Sequence, residues 1–364
     1  MRCGSPGRRD FHRGGAVRRS LRRGPRAAGA TVLEVTTPST EATGAIMSAP
    51  LLRRLWQYQA ERFSLVAYTP LVVAAVVAAV SVSVHARRVR GDSPEPVWPD
   101  PLVWVLGGLT VLVFFLGLRL LDEHKDVEID RQARPELPVP RGLVTLAELR
   151  RTGLVLLGLV VLGHLVLAPV LLLAVGVVAL WAALMTREFF VPRWLQARPA
   201  IYMTSHMVIM PLILGYATAL DWLVVGARPP AVLLPFLIAA FLAGVVIEVG
   251  RKIRLPEEER EGVGSYTRDW GLRRAPLVWL LALAGSAVAA IWAGVHTGAG
   301  NWAALLLGIV LVAAALPAVA FIRAPTPRAR SGVETASGVW TLALYVVLAA
   351  GPFVSGWLDA GVGR

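Results

Sequence analysis

Windows of about twenty residues with almost no charge alternate along the chain with polar, Pro- and Gly-rich connections. A helix needs about twenty residues to cross the hydrocarbon core of a bilayer, so each window predicts one spanning helix. Nine windows are predicted, at 64–85, 101–121, 145–166, 168–187, 199–219, 231–250, 276–296, 302–322 and 336–357. The third and fourth share one apolar run, divided at Leu167-Ala168-Pro169 because proline interrupts a helix that precedes it. Backbone groups inside lipid must find partners within their own segment, which predicts an all-α, polytopic membrane bundle. Two connections are long and rich in both signs of charge, 122–151 after the second window and 251–275 after the sixth. Both emerge on one side and predict a single cavity opening there. Pro256 is expected to end the helix begun by the sixth window.

Composition agrees with a membrane protein: 55% of the 364 residues are hydrophobic. A net charge of +13 would suit a nucleic-acid partner if it formed a basic face, but its placement follows the windows instead. On the side of the two long connections, the loops hold 22 Lys or Arg, against 5 on the other side. That bias predicts a multi-pass cell-membrane protein with its amino terminus and both acidic segments in the cytoplasm, and excludes nucleic acid as the reason for the basicity. The single cysteine, Cys3, excludes an internal disulfide and a cysteine metal site. Residues 1–46 hold nine Arg and no apolar stretch long enough for a signal peptide. They are expected to be a disordered basic extension or an upstream, mis-assigned start, with Met47 opening the 47–364 membrane domain.

The chemistry-bearing segment is Asp122-Glu123-His124-Lys125-Asp126-Val127-Glu128-Ile129-Asp130, which follows a window with one charge. Asp122, Asp126 and Asp130 are four apart and would share one face of a continuous helix, with Glu123 at its edge. Acids this close repel one another, and more so beside a membrane, so a compensating cation is expected, most simply a divalent metal. Lys125, Arg134 and Arg141 lie in or after the segment, and Arg251 and Lys252 begin the second charged connection ahead of Glu257 and Glu258. Mixed acids and bases suit a diphosphate, with Mg²⁺ bridging carboxylates to phosphate oxygens and cations holding the remaining charge. Negative charge builds on a leaving diphosphate as its carbon–oxygen bond breaks, and such a clamp lowers that barrier. The apolar interior behind it would take a hydrocarbon tail.

Asp122-Glu123-x-x-Asp126-x-x-x-Asp130 resembles the first aspartate-rich motif of the UbiA superfamily of intramembrane prenyltransferases. The Arg134-Pro135…Pro138-Val139-Pro140-Arg141-Gly142 stretch is similar to the basic, proline-rich segment that follows it there. The resemblance covers roughly residues 50–360. It implies Mg²⁺-dependent transfer of a prenyl group from a polyprenyl diphosphate to a lipophilic or aromatic acceptor within membrane lipid. It also implies metal-binding roles for Glu123, Asp126 and Asp130, with Asp122 in the place of the usual Asn. The second motif departs from the family: Glu257 and Glu258 beside Arg251 and Lys252 stand where an Asp-x-x-x-Asp is usual, with Glu248 further back. Asp122, Asp126, Asp130 and Lys252 are expected to act in catalysis, Asp122, Glu123, Asp126, Asp130, Glu257 and Glu258 to take metal, and Lys125, Arg134, Arg141, Arg251 and Lys252 to hold the diphosphate.

Plainer readings stand beside these. The basic residues at helix ends double as membrane anchors, and acidic loops are commonly just solvated. Glu188 is expected to line the cavity mouth or to pair with Arg187 or Arg193. Tyr202 and His206, one turn apart within a span, suit a helix–helix hydrogen bond or a functional position. Tyr58, Gln59 and Arg62 are placed near the acceptor side, and His164 at a span end. Three other functions compete: a permease for a cation or small metabolite, an intramembrane terpene cyclase of the same fold, and a CDP-alcohol phosphotransferase. Polar groups cluster at one face rather than the midplane, which disfavours the permease. The motif of the phosphotransferases, an Asp-Gly followed by an Ala-Arg, is missing.

Overall fold

Apolar side chains along every face, with no water to serve the backbone, leave the helix as the only stable conformation for these windows. The computed structural model describes residues 49–92 and 97–362, with side chains to 357. Residues 1–46 lie outside the described residues. Among the described residues, nine helices are long and apolar enough to span a membrane: Leu65–Arg90, Pro101–Lys125, Leu146–Leu167, Pro169–Thr186, Pro199–Trp222, Leu233–Gly250, Arg274–His296, Gly300–Arg323 and Pro327–Trp357. An amphipathic helix, Leu51–Arg62, precedes the first.

Local chemistry sets the boundaries. Asp100 caps the second span by accepting from the Leu102 N–H at 2.8 Å, with Pro101 in the first turn. Thr145 and Glu148 form a reciprocal capping box at the start of the third. Gly91 closes the first span in the left-handed conformation, φ 84°, which costs glycine little. The division at Leu167-Ala168-Pro169 falls where it was expected.

Elsewhere the structure departs from the sequence reading. The sixth-span helix stops at Gly250, not at Pro256, which instead opens a single short turn. The chain unwinds early because Ile253 and Leu255 are buried in the protein core, 0% and 3% exposed, rather than carried out along a helix. The first and ninth helices run past their apolar windows, to Arg90 and from Pro327. The fifth span breaks between Met207 and Ile209. Pro211 lacks the N–H that would bond the Met207 carbonyl, which explains a break at that turn.

The sixth span packs on the seventh, the seventh on the eighth, the eighth on the ninth, the ninth back on the first, and the first on the fifth. Small residues let these helices approach closely: Ala78, Ala79, Ala239, Ala240 and Ala243 are fully buried, and a Cβ on Gly244 would meet the Met210 side chain. The second span leans on the first and fifth and carries the third, while the fourth packs on the fifth. At the end away from Asp122, Arg87 grips Asp221 with two hydrogen bonds of 2.9 and 2.6 Å, and Ser83 donates to the same carboxylate.

That buried triad ties the first span to the fifth. Asp221→Ala leaves Arg87 charged and unpaired and is expected to destabilise the protein by about 3–5 kcal/mol. Thermal unfolding in detergent checks this, with Asp92→Ala, at an exposed pair with Arg90, expected to change little.

Candidate functional site

The second span delivers its acids to the bundle end and then bends. It closes at Lys125, Asp126 leaves the helical geometry (φ −95°, ψ 6°), and a short helix runs Val127–Ala133. Backbone bonds survive the bend, from Asp126 N to the Asp122 carbonyl at 2.9 Å and from Asp130 N to the Asp126 carbonyl at 2.8 Å. The single carboxylate face expected of a straight helix is therefore divided. Asp122 is half exposed and lines a cavity, whereas Glu123 and Asp130 are 1% and 2% exposed.

The buried pair is enclosed by arginines. Arg62, from the amphipathic helix, and Arg119, one turn back, both donate to Glu123 Oε1, at 2.7 and 2.8 Å. Arg134 donates to Asp130, and Arg62 Nη2 stands 3.8 Å from its other oxygen. Arg62 Nη2 and Arg134 Nε remain buried donors without a hydrogen-bond acceptor. Arg141 bonds Glu61 at 2.7 and 2.8 Å and so pins the proline-rich segment to the amphipathic helix. This pairing holds the Glu61 carboxyl below its usual range. Burial, reinforced by Asp130, pushes the Asp126 carboxyl above the ordinary aspartate range.

Lys125 reaches across to the fourth and fifth spans. Its Nζ lies 2.7 Å from Glu188 Oε1 and donates to the Tyr202 hydroxyl. Glu188 thus pairs with neither Arg187 nor Arg193; its other oxygen accepts from Gln196 at 3.0 Å. It is held there by an unusual backbone: Glu188, Phe189 and Phe190 have φ of 46°, 52° and 62° in succession. Side chains with a Cβ resist this region, so the turn is strained. Tyr202 stacks on His206, with centroids 4.1 Å apart and planes at 12°. The cavity beside Asp122 measures about 30 Å³ and is lined also by Lys125, Leu118, Leu121, Met185 and His206. That is room for a water rather than a hydrocarbon tail.

The sixth-span end brings cations to the same place. Arg251 and Lys252 hold Glu248, at 2.7 Å for Arg251 Nε and 2.7 Å for Lys252 Nζ. Glu248 first and Asp122 further on hold the Arg251 guanidinium more firmly charged, so residues from both long connections interact across the cavity mouth. The two connections also touch directly, Arg260 donating to the Ala133 carbonyl at 3.2 Å. The glutamates of the second connection turn elsewhere. Glu258 pairs with Arg330 at 3.2 Å and accepts from the Leu255 N–H, and Glu257 is exposed. No group of three or more metal-ligating side chains is preassembled among the described residues.

The sequence reading set Glu188 at the cavity mouth or against Arg187 or Arg193, and Tyr202 and His206 at a helix–helix hydrogen bond or a functional position. In the structure His206 lines the cavity, and Lys125 joins Glu188 and Tyr202 beside it. His164 stands in the last turn of its span, as expected, and there it is fully buried and bonded to the Tyr216 hydroxyl at 2.9 Å.

No curated protein matches the chain by sequence. Among solved structures, a digeranylgeranylglyceryl phosphate synthase has a similar fold, with a TM-score of 0.58 at 14% identity over 83% of this chain and 99% of that one. The model of the UbiA prenyltransferase family matches residues 93–339, which takes in the acidic segment, the proline-rich stretch and the second charged connection. The chain belongs to the UbiA prenyltransferase family.

Proposed function

We propose that the protein transfers a prenyl group from a polyprenyl diphosphate to a lipophilic acceptor in the bilayer, in a Mg²⁺-dependent reaction at the Asp122 end of the bundle. The observation that carries this reading is the convergence of Asp122 and Lys125 from the second span with Arg251 from the sixth around one cavity mouth. Family membership supports prenyl transfer in general; the metal, the acceptor and the residue roles are our assignment.

The donor set suits magnesium bound together with substrate. Glu123 and Asp130 are occupied by arginines at hydrogen-bond distance, which leaves Asp122, with Arg119 Nη1 at 3.8 Å, and Asp126 more open. Mg²⁺ in phosphate sites is held by one or two carboxylates, with phosphate oxygens and waters completing its six positions, so no all-protein cage is required. Burial first and Asp130 second raise the Asp126 pKa, a cost of ionisation that a bound cation would relieve. When bound, the ion would neutralise charge developing on the diphosphate. Arg251 and Lys252 hold spare N–H donors for the phosphate oxygens, as do Arg62 and Arg134 through their unpartnered nitrogens. Glu123 and Asp130 orient those arginines. Glu257 and Glu258 have no part in this assignment. By the positive-inside distribution the site opens to the cytoplasm.

The assay is purified protein in lipid nanodiscs with labelled farnesyl and geranylgeranyl diphosphates, Mg²⁺ and a membrane lipid extract. Mg²⁺-dependent diphosphate release with label appearing in lipid is expected; no release with either donor would end the reading. Asp126→Asn should cut turnover by about a hundredfold or more.

The same variant should raise the melting temperature at pH 7 without magnesium. A raised carboxyl pKa means that the ionised form destabilises the fold at neutral pH, a penalty that disappears once the group is protonated in both folded and unfolded states. The stability gain should therefore fade as pH falls toward about 4. A melting temperature unchanged or lowered at pH 7 would contradict that penalty on the buried, ionised carboxyl.

A further inference from the structure

His206 lines the cavity and is not used by the diphosphate clamp. Its Nδ1 lies 2.8 Å from the Tyr202 carbonyl oxygen, which has no hydrogen to give, so Nδ1 carries the proton. Ser205 Oγ is 3.3 Å from the same nitrogen but donates its own hydrogen to that carbonyl at 3.0 Å. In the neutral ring Nε2 therefore presents a lone pair. That atom is buried and has no hydrogen-bond partner among the described residues.

Two other histidines of the bundle are spoken for. His164 Nε2 meets the Tyr216 hydroxyl at 2.9 Å, and both ring nitrogens of His124 face carbonyls, at 2.8 and 3.1 Å. The His206 ring is also fixed in orientation, stacked on Tyr202 on one side and edge-on to Phe189 at 6.0 Å. Tyr202 is anchored by Lys125 in turn. Around the imidazole stand Asp122 and Lys125 from the second span, Glu188 from the strained turn, Glu248 from the sixth span, and Tyr202 on its own helix. A buried, oriented acceptor without a donor is costly to leave unmet, and here it shares the cavity with Asp122.

We propose that His206 Nε2 binds the hydroxyl of the prenyl acceptor and takes its proton during transfer. The proposal rests on the prenyl-transfer reading above and adds the acceptor class, a hydroxyl-bearing nucleophile. As the donor's carbon–oxygen bond breaks, its electron pair leaves on the diphosphate. The acceptor oxygen bonds to the freed allylic carbon, and its proton passes to Nε2. The product is an ether, and the resulting imidazolium keeps its Nδ1–H on the Tyr202 carbonyl, with Glu188 and Glu248 nearby to offset the charge.

Two measurements test this. In the nanodisc assay, His206→Gln should keep diphosphate release within about threefold while label transferred to lipid falls by about a hundredfold, the usual worth of a positioned base. Transfer equal to wild type would remove the role and leave the prenyl-transfer reading standing. Absence of release by the wild-type protein would remove that reading and this role with it. Independently of turnover, nitrogen-15 NMR of histidine-labelled protein should show, among the resonances lost in His206→Gln, a protonated Nδ1 and an unprotonated Nε2 at neutral pH. A His206 protonated at Nε2 would overturn the open lone pair on which the proposal stands.

Discussion

Carboxylates at the rim of a bilayer have to be matched by positive charge, and in this protein that requirement organises the whole of one end of the bundle. Five acids fall within the nine residues from Asp122 to Asp130, and Glu128 among them is exposed. Each must be exposed to water, paired, or given a cation, because an isolated charge in a poorly polarisable surrounding is expensive. Arg62 and Arg119 satisfy Glu123, and Arg134 satisfies Asp130. To supply Arg62, the amphipathic helix has to fold back over the motif, where the Arg54–Glu148 and Arg141–Glu61 pairs fasten it. The arginines leave Asp122, which Arg119 Nη1 approaches only to 3.8 Å, and Asp126 as the less compensated part.

The rest of the cavity mouth follows from the same accounting of charge. Lys125 sits in the middle of the acids yet turns away to Glu188 and Tyr202, linking the second, fourth and fifth spans. Three consecutive left-handed residues position Glu188 for it, and such conformations persist only where the surroundings overdetermine them. Ion pairing to Lys125, the Gln196 hydrogen bond and ring contacts of Phe189 with Trp181 and His206 supply that constraint. The outcome is a small cavity closed by polar contacts between helices, with an oriented imidazole at its wall.

Much of this architecture was legible in the chain, because the bilayer imposes one length scale on every apolar run. All nine spans and the break at Pro169 follow from length and a single proline. The ends of helices were less legible. The sixth span stops at Gly250 because Ile253 and Leu255 find places in the core, a tertiary gain invisible to a local reading. The first helix extends because Arg87 is buried against Asp221, and the ninth starts early because Ala329 and Val333 are buried. The site was legible as a segment and not as a geometry. Spacing of four implied one shared face, but the bend at Asp126 and the pull of three arginines split it into an inner pair and an outer pair. Glu257 and Glu258 read as partners of the aspartates; Glu258 meets Arg330 instead, a residue more than seventy positions away on the ninth span. Nothing in sequence spacing reports which charges pair across helices.

The central claim is that Asp122 and Asp126 are the carboxylates left open for a magnesium–diphosphate. Equilibrium binding of farnesyl thiolodiphosphate, which resists ionisation, tests it without any need for an acceptor. The account predicts saturable binding that strengthens with Mg²⁺ concentration in the wild-type protein, and loss of that magnesium dependence in an Asp122→Asn/Asp126→Asn protein that remains folded. Binding of equal strength in both proteins, indifferent to magnesium, would contradict it.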